Sequence, residues 1–260
     1  MRLKILGIQL RFTTNWKLMV FYLLFMPLFL GLGYWQLNRA AEKSELEYRY
    51  QLSIQGEPIS LDVAVKDPGI QKVELFGRFD KQRHFLLDNR TYRGAAGYEV
   101  ISLLRLNHSV YLSDSDGGNA RPIDYVWVSR GWISAGASRQ ELPTFETPSG
   151  ELRLLAIIDE SPEDAFVLKD LPYSGVWPEV IQRVDLARMQ QGLNRNGEEL
   201  EVLPVLLRLR PESPGSFQLI WNPIVMPSKK HLGYALQWFS MCAALTILYL
   251  FVSVKRSEDD

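Results

Sequence analysis

Two uncharged apolar runs, one near each end, constrain this chain more than any other feature. Leu18–Trp35 and Leu232–Val254 contain no Asp, Glu, Lys or Arg. At about 1.5 Å per residue, a helix over either run is roughly 27 to 34 Å long, matching the hydrocarbon core of a bilayer. Pro27 lies inside the first run, where a soluble helix tends to break but a membrane helix tolerates it. The expected fold is therefore a membrane protein, with two transmembrane helices bracketing one β-rich α+β extracytoplasmic domain. The expected boundaries are an N-terminus at 1–17, spans at 18–35 and 232–254, the domain at 36–231 with a membrane-proximal helix, and a tail at 255–260.

The first run has a second reading, a cleaved signal peptide. Arg2, Lys4, Arg11 and Lys17 supply a basic start, and Gly31-Leu32-Gly33 a small-x-small site. Its length exceeds a signal-peptide core and amphipathic chain follows at once, which favours a retained span. A transit peptide would be richer in serine than residues 1–17. The expected setting is thus a bacterial inner (plasma) membrane, with the mitochondrial inner membrane as the alternative. Four basic residues precede the first run, against Arg39, Lys43 and Arg49 after it. Lys255 and Arg256 follow the second run, against Lys229 and Lys230 before it. The bias is slight, and it puts both termini in the cytoplasm and the middle outside.

A formal net charge of −1 gives no support for nucleic-acid binding. The single cysteine, Cys242, lies in the second run, so no disulfide framework and no Cys-x-x-Cys pair exists. Between the runs, Gln36–Ser53 is rich in helix formers and continues the first helix up to Gly56-Glu57-Pro58. Beyond it, Val73–Phe79, Tyr98–Leu106, Tyr125–Ile133, Leu152–Ile158, Val202–Leu209 and Phe217–Trp221 read as strands, although their alternation is rough. Turn chemistry at Asp88-Asn89, Asp114–Asn119 and Pro148-Ser149-Gly150 separates them. Asp185 is placed to cap a helix through Leu193.

No nucleophile elbow, phosphate loop or His-Glu-x-x-His pair is present, so the chain is not expected to be an enzyme. Asp114-Ser115-Asp116-Gly117 begins like a calcium loop, but Asn119 and Tyr125 stand where glycine and the bidentate carboxylate belong. Asn107-His108-Ser109 matches a glycosylation acceptor with no further context. His84 and His108 lack the spacing of a metal pair.

Two polar clusters remain, Leu86–Gly94 with Gly97-Tyr98, and Val128-Ser129-Arg130-Gly131-Trp132. Each is either a strand whose arginine pairs with a carboxylate such as Asp88, or a platform presenting Arg90 and Arg130 to carboxylates on a ligand. At the start of the second run, His231, Tyr234, Ala235, Trp238 and Cys242 recur at helical spacing, which suggests one shared face. For His231, three readings stand open: an anchor at the interface, a member of a proton path, and an axial ligand to haem iron. Covalent c-type attachment is excluded, because there is no Cys-x-x-Cys-His.

Taken together, four blocks resemble the Surfeit locus protein 1 family of cytochrome c oxidase assembly factors. They are Gly33-Tyr34-Trp35-Gln36 with Arg39 and Lys43; Leu87-Asp88-Asn89-Arg90 with Gly94 and Gly97-Tyr98; Arg130-Gly131-Trp132; and His231–Phe239. Ser134 stands where many relatives carry proline, and Glu42 where a tryptophan is common. The resemblance implies an assembly factor that helps insert or stabilise haem a in oxidase subunit I. The alternative is a chaperone that binds protein only, and a membrane-tethered enzyme is a further one. It implies subunit I, haem a synthase, other assembly factors and membrane lipid as partners, and haem a as cofactor. Carried onto this chain, the haem-linked histidine is His231; the aromatic stripe then makes Tyr234 and Trp238 candidates to pack on the ring, and guanidinium fork geometry makes Arg90 or Arg130 candidates for its propionates.

Overall fold

The computed structural model of the chain describes residues 2–5, 8–12, 15–66, 69–112, 121–136, 141–159, 173–196, 199–222 and 226–256. The turn and the calcium-like loop expected at 114–119 lie outside them. Two compact units form, Met1–Arg49 with Pro223–Asp260, and Tyr50–Asn222.

In the first unit, short strands β1 (Arg2–Ile5) and β2 (Ile8–Phe12) form a hairpin, and β10 (Val254–Arg256) joins β2. Helix α1 (Trp16–Gln55) runs without interruption through Pro27 and through the charged Gln36–Ser53 stretch, as its helix-forming composition suggests. Helix α4 (Ser228–Ser253) begins one turn before the apolar run. Both helices are long and apolar enough to cross a membrane. They pack antiparallel, as the residue pairs in contact show: Tyr22 stacks on Tyr249, Phe29 lies tilted against Trp238, and Gln36 meets His231.

The second unit is built on a closed barrel. Strands β4 (Gln71–Tyr92), β5 (Ala95–Leu112), β6 (Arg121–Ser134), β9 (Val202–Leu209) and β7 (Leu152–Asp159) pair in that order, and β7 returns to β4. All pairs are antiparallel except β6–β9. Alternate residues fill the barrel: Val73, Leu75 and Phe79 from β4, Val126 and Val128 from β6, Leu154, Ala156 and Ile158 from β7, and Leu203, Leu207 and Leu209 from β9. Strand β3 (Ile59–Ser60) and the single turn α2 (Leu61–Ala64) lie against the start of β4.

Beyond the barrel, β4 and β5 continue as a long hairpin. The two-residue turn Arg93-Gly94 takes positive φ at both positions, the type I′ geometry that suits strand twist. Strand β8 (Glu179–Ile181) pairs with β4 in parallel. A second core forms there, where Phe85, Ile101, Trp127 and Leu206 pack with Met189 and Leu193 of α3 (Leu186–Leu193). Asp185 caps α3, accepting a bond from Arg188 N. Strand segments buried on both faces explain the rough alternation in the sequence: from Gly97 to Leu104 every residue of β5 is buried.

Two expected features are corrected. Asp88-Asn89 is not a turn between strands but a bulge within β4. Asn89 takes φ +59 while Asp88 Oδ1 accepts its N–H, which absorbs the extra residue in the ladder. Phe217–Trp221 makes one bridge, Trp132–Gln218, rather than a strand.

Candidate functional site

The helix pair closes along a seam of small side chains. Gly33, Gln36 and Ala40 are the buried residues of α1, at spacings of three and four. His231, Ala235 and Cys242 are buried on α4. A Cβ on Gly33 would stand 2.7 Å from the Phe239 ring, so a larger residue there would displace that ring. Further along, Tyr22 OH lies 3.3 Å from Thr246 Oγ1. At the other end, Glu47 accepts bonds from both the N–H and the hydroxyl of Ser228, each at 2.8 Å, which satisfies two donors at the start of α4.

Within this seam His231 is 8% exposed, and its Nδ1 lies 2.7 Å from Gln36 Oε1, itself on a buried side chain. Its Nε2 is also buried and has no hydrogen-bond partner among the described residues. A carbonyl oxygen accepts but cannot donate, so Nδ1 carries a proton, and in the neutral imidazole Nε2 presents its lone pair. Buried polar atoms are nearly always paired, and leaving one bare costs about 1–3 kcal/mol. An imidazole held at one nitrogen and bare at the other has the form of an axial haem ligand. The donor chemistry at His231 therefore suits a haem iron, which would reach the enclosed Nε2 only where the seam around it opens.

The expected shared face is narrower than the sequence suggested. At 100° per residue, Tyr234 sits about 60° away from His231, on the flank of the seam. It is 42% exposed, whereas Trp238 is half-buried with its ring 5.8 Å from Phe29. Gln36 was quoted as part of a motif but given no role. Its only signal in sequence was a polar residue directly after an uncharged run.

The two arginine clusters serve a different purpose. Arg130 is fully buried, and each of its three nitrogens donates within the domain: Nε to Gly215 O, Nη1 to Thr147 Oγ1 and Nη2 to Glu146 O, at 2.7–3.0 Å. The rings of Phe217, Phe79 and Phe145 surround its guanidinium at 4.4, 5.1 and 5.6 Å. Burial pushes its pKa down to about 10, so it stays charged at neutral pH. The partners of Arg130 are thus backbone and hydroxyl oxygens rather than the carboxylate of the first reading made from sequence. Next to it Gly131 takes φ +107, and a Cβ there would stand 2.8 Å from Gln218 O. Trp132 donates from its ring to Arg90 O and covers Gly97, where a Cβ would collide with Ile133 O and the indole.

Arg90 pairs with Glu99 at 3.7 Å, not with Asp88. Glu99 is buried with Arg208, whose Nη1 donates to it at 2.8 Å, and it also accepts from Ser129. The second and third motif blocks thus interlock around a buried ion pair. His84 is buried as well, bonded to Ser102 Oγ and Lys81 O. Burial, joined by the nearby Arg130 charge, holds its pKa below the ordinary 6.5. His108 is exposed on β5, and among the described residues no group of three or more His, Cys, Asp or Glu gathers as a metal site.

A β-barrel domain flanked in sequence by two helices long and apolar enough to cross a membrane, with a half-satisfied histidine where those helices meet, defines the class of protein. The SURF1 family model matches residues 23–243, so the chain belongs to that family, known as cytochrome c oxidase assembly factors. It is similar to a SURF1-like protein of Monosiga brevicollis, 26% identical over 241 residues covering 86% of this chain and 83% of the relative. A SURF1-like protein of Drosophila melanogaster is 26% identical over 251 residues, 91% of this chain and 77% of the relative. One from Rickettsia felis is 23% identical over 239 residues, 88% and 93% respectively.

Proposed function

We propose that the chain crosses the membrane with α1 and α4, both termini in the cytoplasm, and holds haem a through His231 while subunit I of the oxidase is being assembled. The setting is a bacterial inner membrane. The observation that carries this reading is the bare, buried Nε2 of His231 beside an Nδ1 fixed by Gln36. A bound haem would supply an iron that could take up that lone pair, with His231 as the residue holding it. Gln36 would orient the imidazole by accepting from its Nδ1–H, and Ala40 and Ala235 are buried along the same two helices. Trp238 and the exposed Tyr234 offer aromatic surface beside it.

The sheet domain is the part that meets protein partners, subunit I first, with haem a synthase and other assembly factors as further ones. An open groove of about 550 Å³, lined by Ile59, Leu61, Phe76, His108 and Tyr111, exposes apolar surface of the kind such docking uses. The role is one of assembly, without turnover of a substrate.

The test is an absorption spectrum of the protein purified from cells that make haem a. The expected result is a haem band in the wild type that is lost or changed in ligand field in His231→Ala. Copurification of subunit I with no haem band would favour a chaperone that binds protein only. A haem band identical in the two proteins would remove His231 as ligand.

A further inference from the structure

We propose that Gln36 is the positioning residue for His231: its side-chain carbonyl holds the Nδ1 proton and so fixes the tautomer whose Nε2 lone pair is free. This rests on the reading of His231 as a haem ligand. Two buried polar side chains, 195 residues apart in sequence, meet at 2.7 Å across the seam. Packing does not require them, because Gly33, Ala40, Ala235 and Cys242 already supply the small surfaces that bring helices together. An apolar pair at 36 and 231 would remove an unpartnered nitrogen from the seam. The seam instead holds the pair with that nitrogen bare, which is the arrangement a ligand site needs.

Position follows from the helix. Gln36 lies three residues beyond Gly33, so it shares the face where α4 comes closest. Its amide then reaches the first turn of α4, where Glu47 already fixes Ser228. A neutral imidazole has one proton and two places for it. With a carbonyl at Nδ1 the proton stays there. Without it, the proton can move to Nε2 and mask the lone pair. Outer partners of ligating histidines generally change affinity by about 10- to 100-fold when removed.

The test needs no haem in its first arm. Nitrogen NMR of the full-length, detergent-solubilised protein with labelled histidine reports the tautomer directly, because the chain has only three histidines and His231→Ala identifies the signal. The wild type should carry its proton on Nδ1. Gln36→Met, which keeps length but has no carbonyl, should shift the population toward Nε2–H. Gln36→Glu, which keeps an acceptor, should retain the wild-type tautomer. In the second arm, Gln36→Met should retain haem about 10- to 100-fold less tightly, and Gln36→Glu should raise the iron–histidine stretching frequency and lower the reduction potential. A wild-type proton on Nε2, or a tautomer indifferent to Gln36→Met, overturns the positioning role. If His231→Ala leaves the haem spectrum unchanged, the ligand reading itself fails, which is a separate result.

Discussion

Arg130 and His231 are both buried, both polar, and both central to motif blocks in the sequence, yet the structure treats them in opposite ways. Every nitrogen of Arg130 has a protein oxygen to donate to, and aromatic rings enclose it. His231 has one nitrogen bonded and the other bare. A fully satisfied buried group stabilises a fold and has nothing left to give. A half-satisfied one weakens its surroundings and keeps a valence for something else. In the sheet domain the signature residues hold architecture together, and in the helix pair one of them is left open for chemistry.

The sharpest way to break that comparison is Arg130→Met. Removing the guanidinium leaves Gly215 O and Glu146 O without donors inside the domain, and unfolding should cost about 3–5 kcal/mol less, read from denaturant melts. Arg130→Lys should recover little of this, since a point charge cannot serve three directions. A near-normal melt for either variant would put the arginine outside the core. Next in size is Gly97→Ala, whose methyl meets Ile133 O and the Trp132 ring. A loss of about 2–3 kcal/mol is expected, typical of overpacking against backbone.

His84 predicts a pH dependence. Its folded pKa lies below the ordinary 6.5 because burial disfavours the imidazolium. As pH falls below about 6.5, the unfolded chain takes up a proton that the folded domain refuses, so stability falls. The slope reaches at most about 1.4 kcal/mol per pH unit, and it fades once pH drops below the depressed folded value. His84→Gln should flatten the melting temperature between pH 7 and that lower limit; an unchanged slope would assign the effect to other groups. The smallest effect is Asp185→Ala, which removes the cap of α3 and should cost about 1 kcal/mol. His231→Ala, by contrast, should leave the sheet unit's melt unchanged.

Much of the scaffold was legible in the sequence because its signals are local. Charge-free runs give α1 and α4, helix formers carry α1 on to Gln55, and Asp185 marks the start of α3. The rest depends on pairing between distant segments. The bulge at Asp88-Asn89 resembles a turn until β5 is seen alongside it, and the return of β7 to β4 leaves no local trace. The same holds for the site. His231 stood out as a titratable group at the edge of an apolar run, whereas Gln36 acquires meaning only when α4 lies against α1. Arg130 is the complementary case: its position among Phe79, Phe145 and Phe217 has no local trace in the sequence.

The most direct test is hyperfine spectroscopy of the ferric haem-bound protein, prepared with nitrogen-15 histidine. If His231 Nε2 is the axial ligand, the iron couples to a single histidine nitrogen in the wild type and in Gln36→Glu, and the coupling vanishes in His231→Ala. Haem bound with no histidine coupling in the wild type, or with coupling that survives His231→Ala, would contradict it.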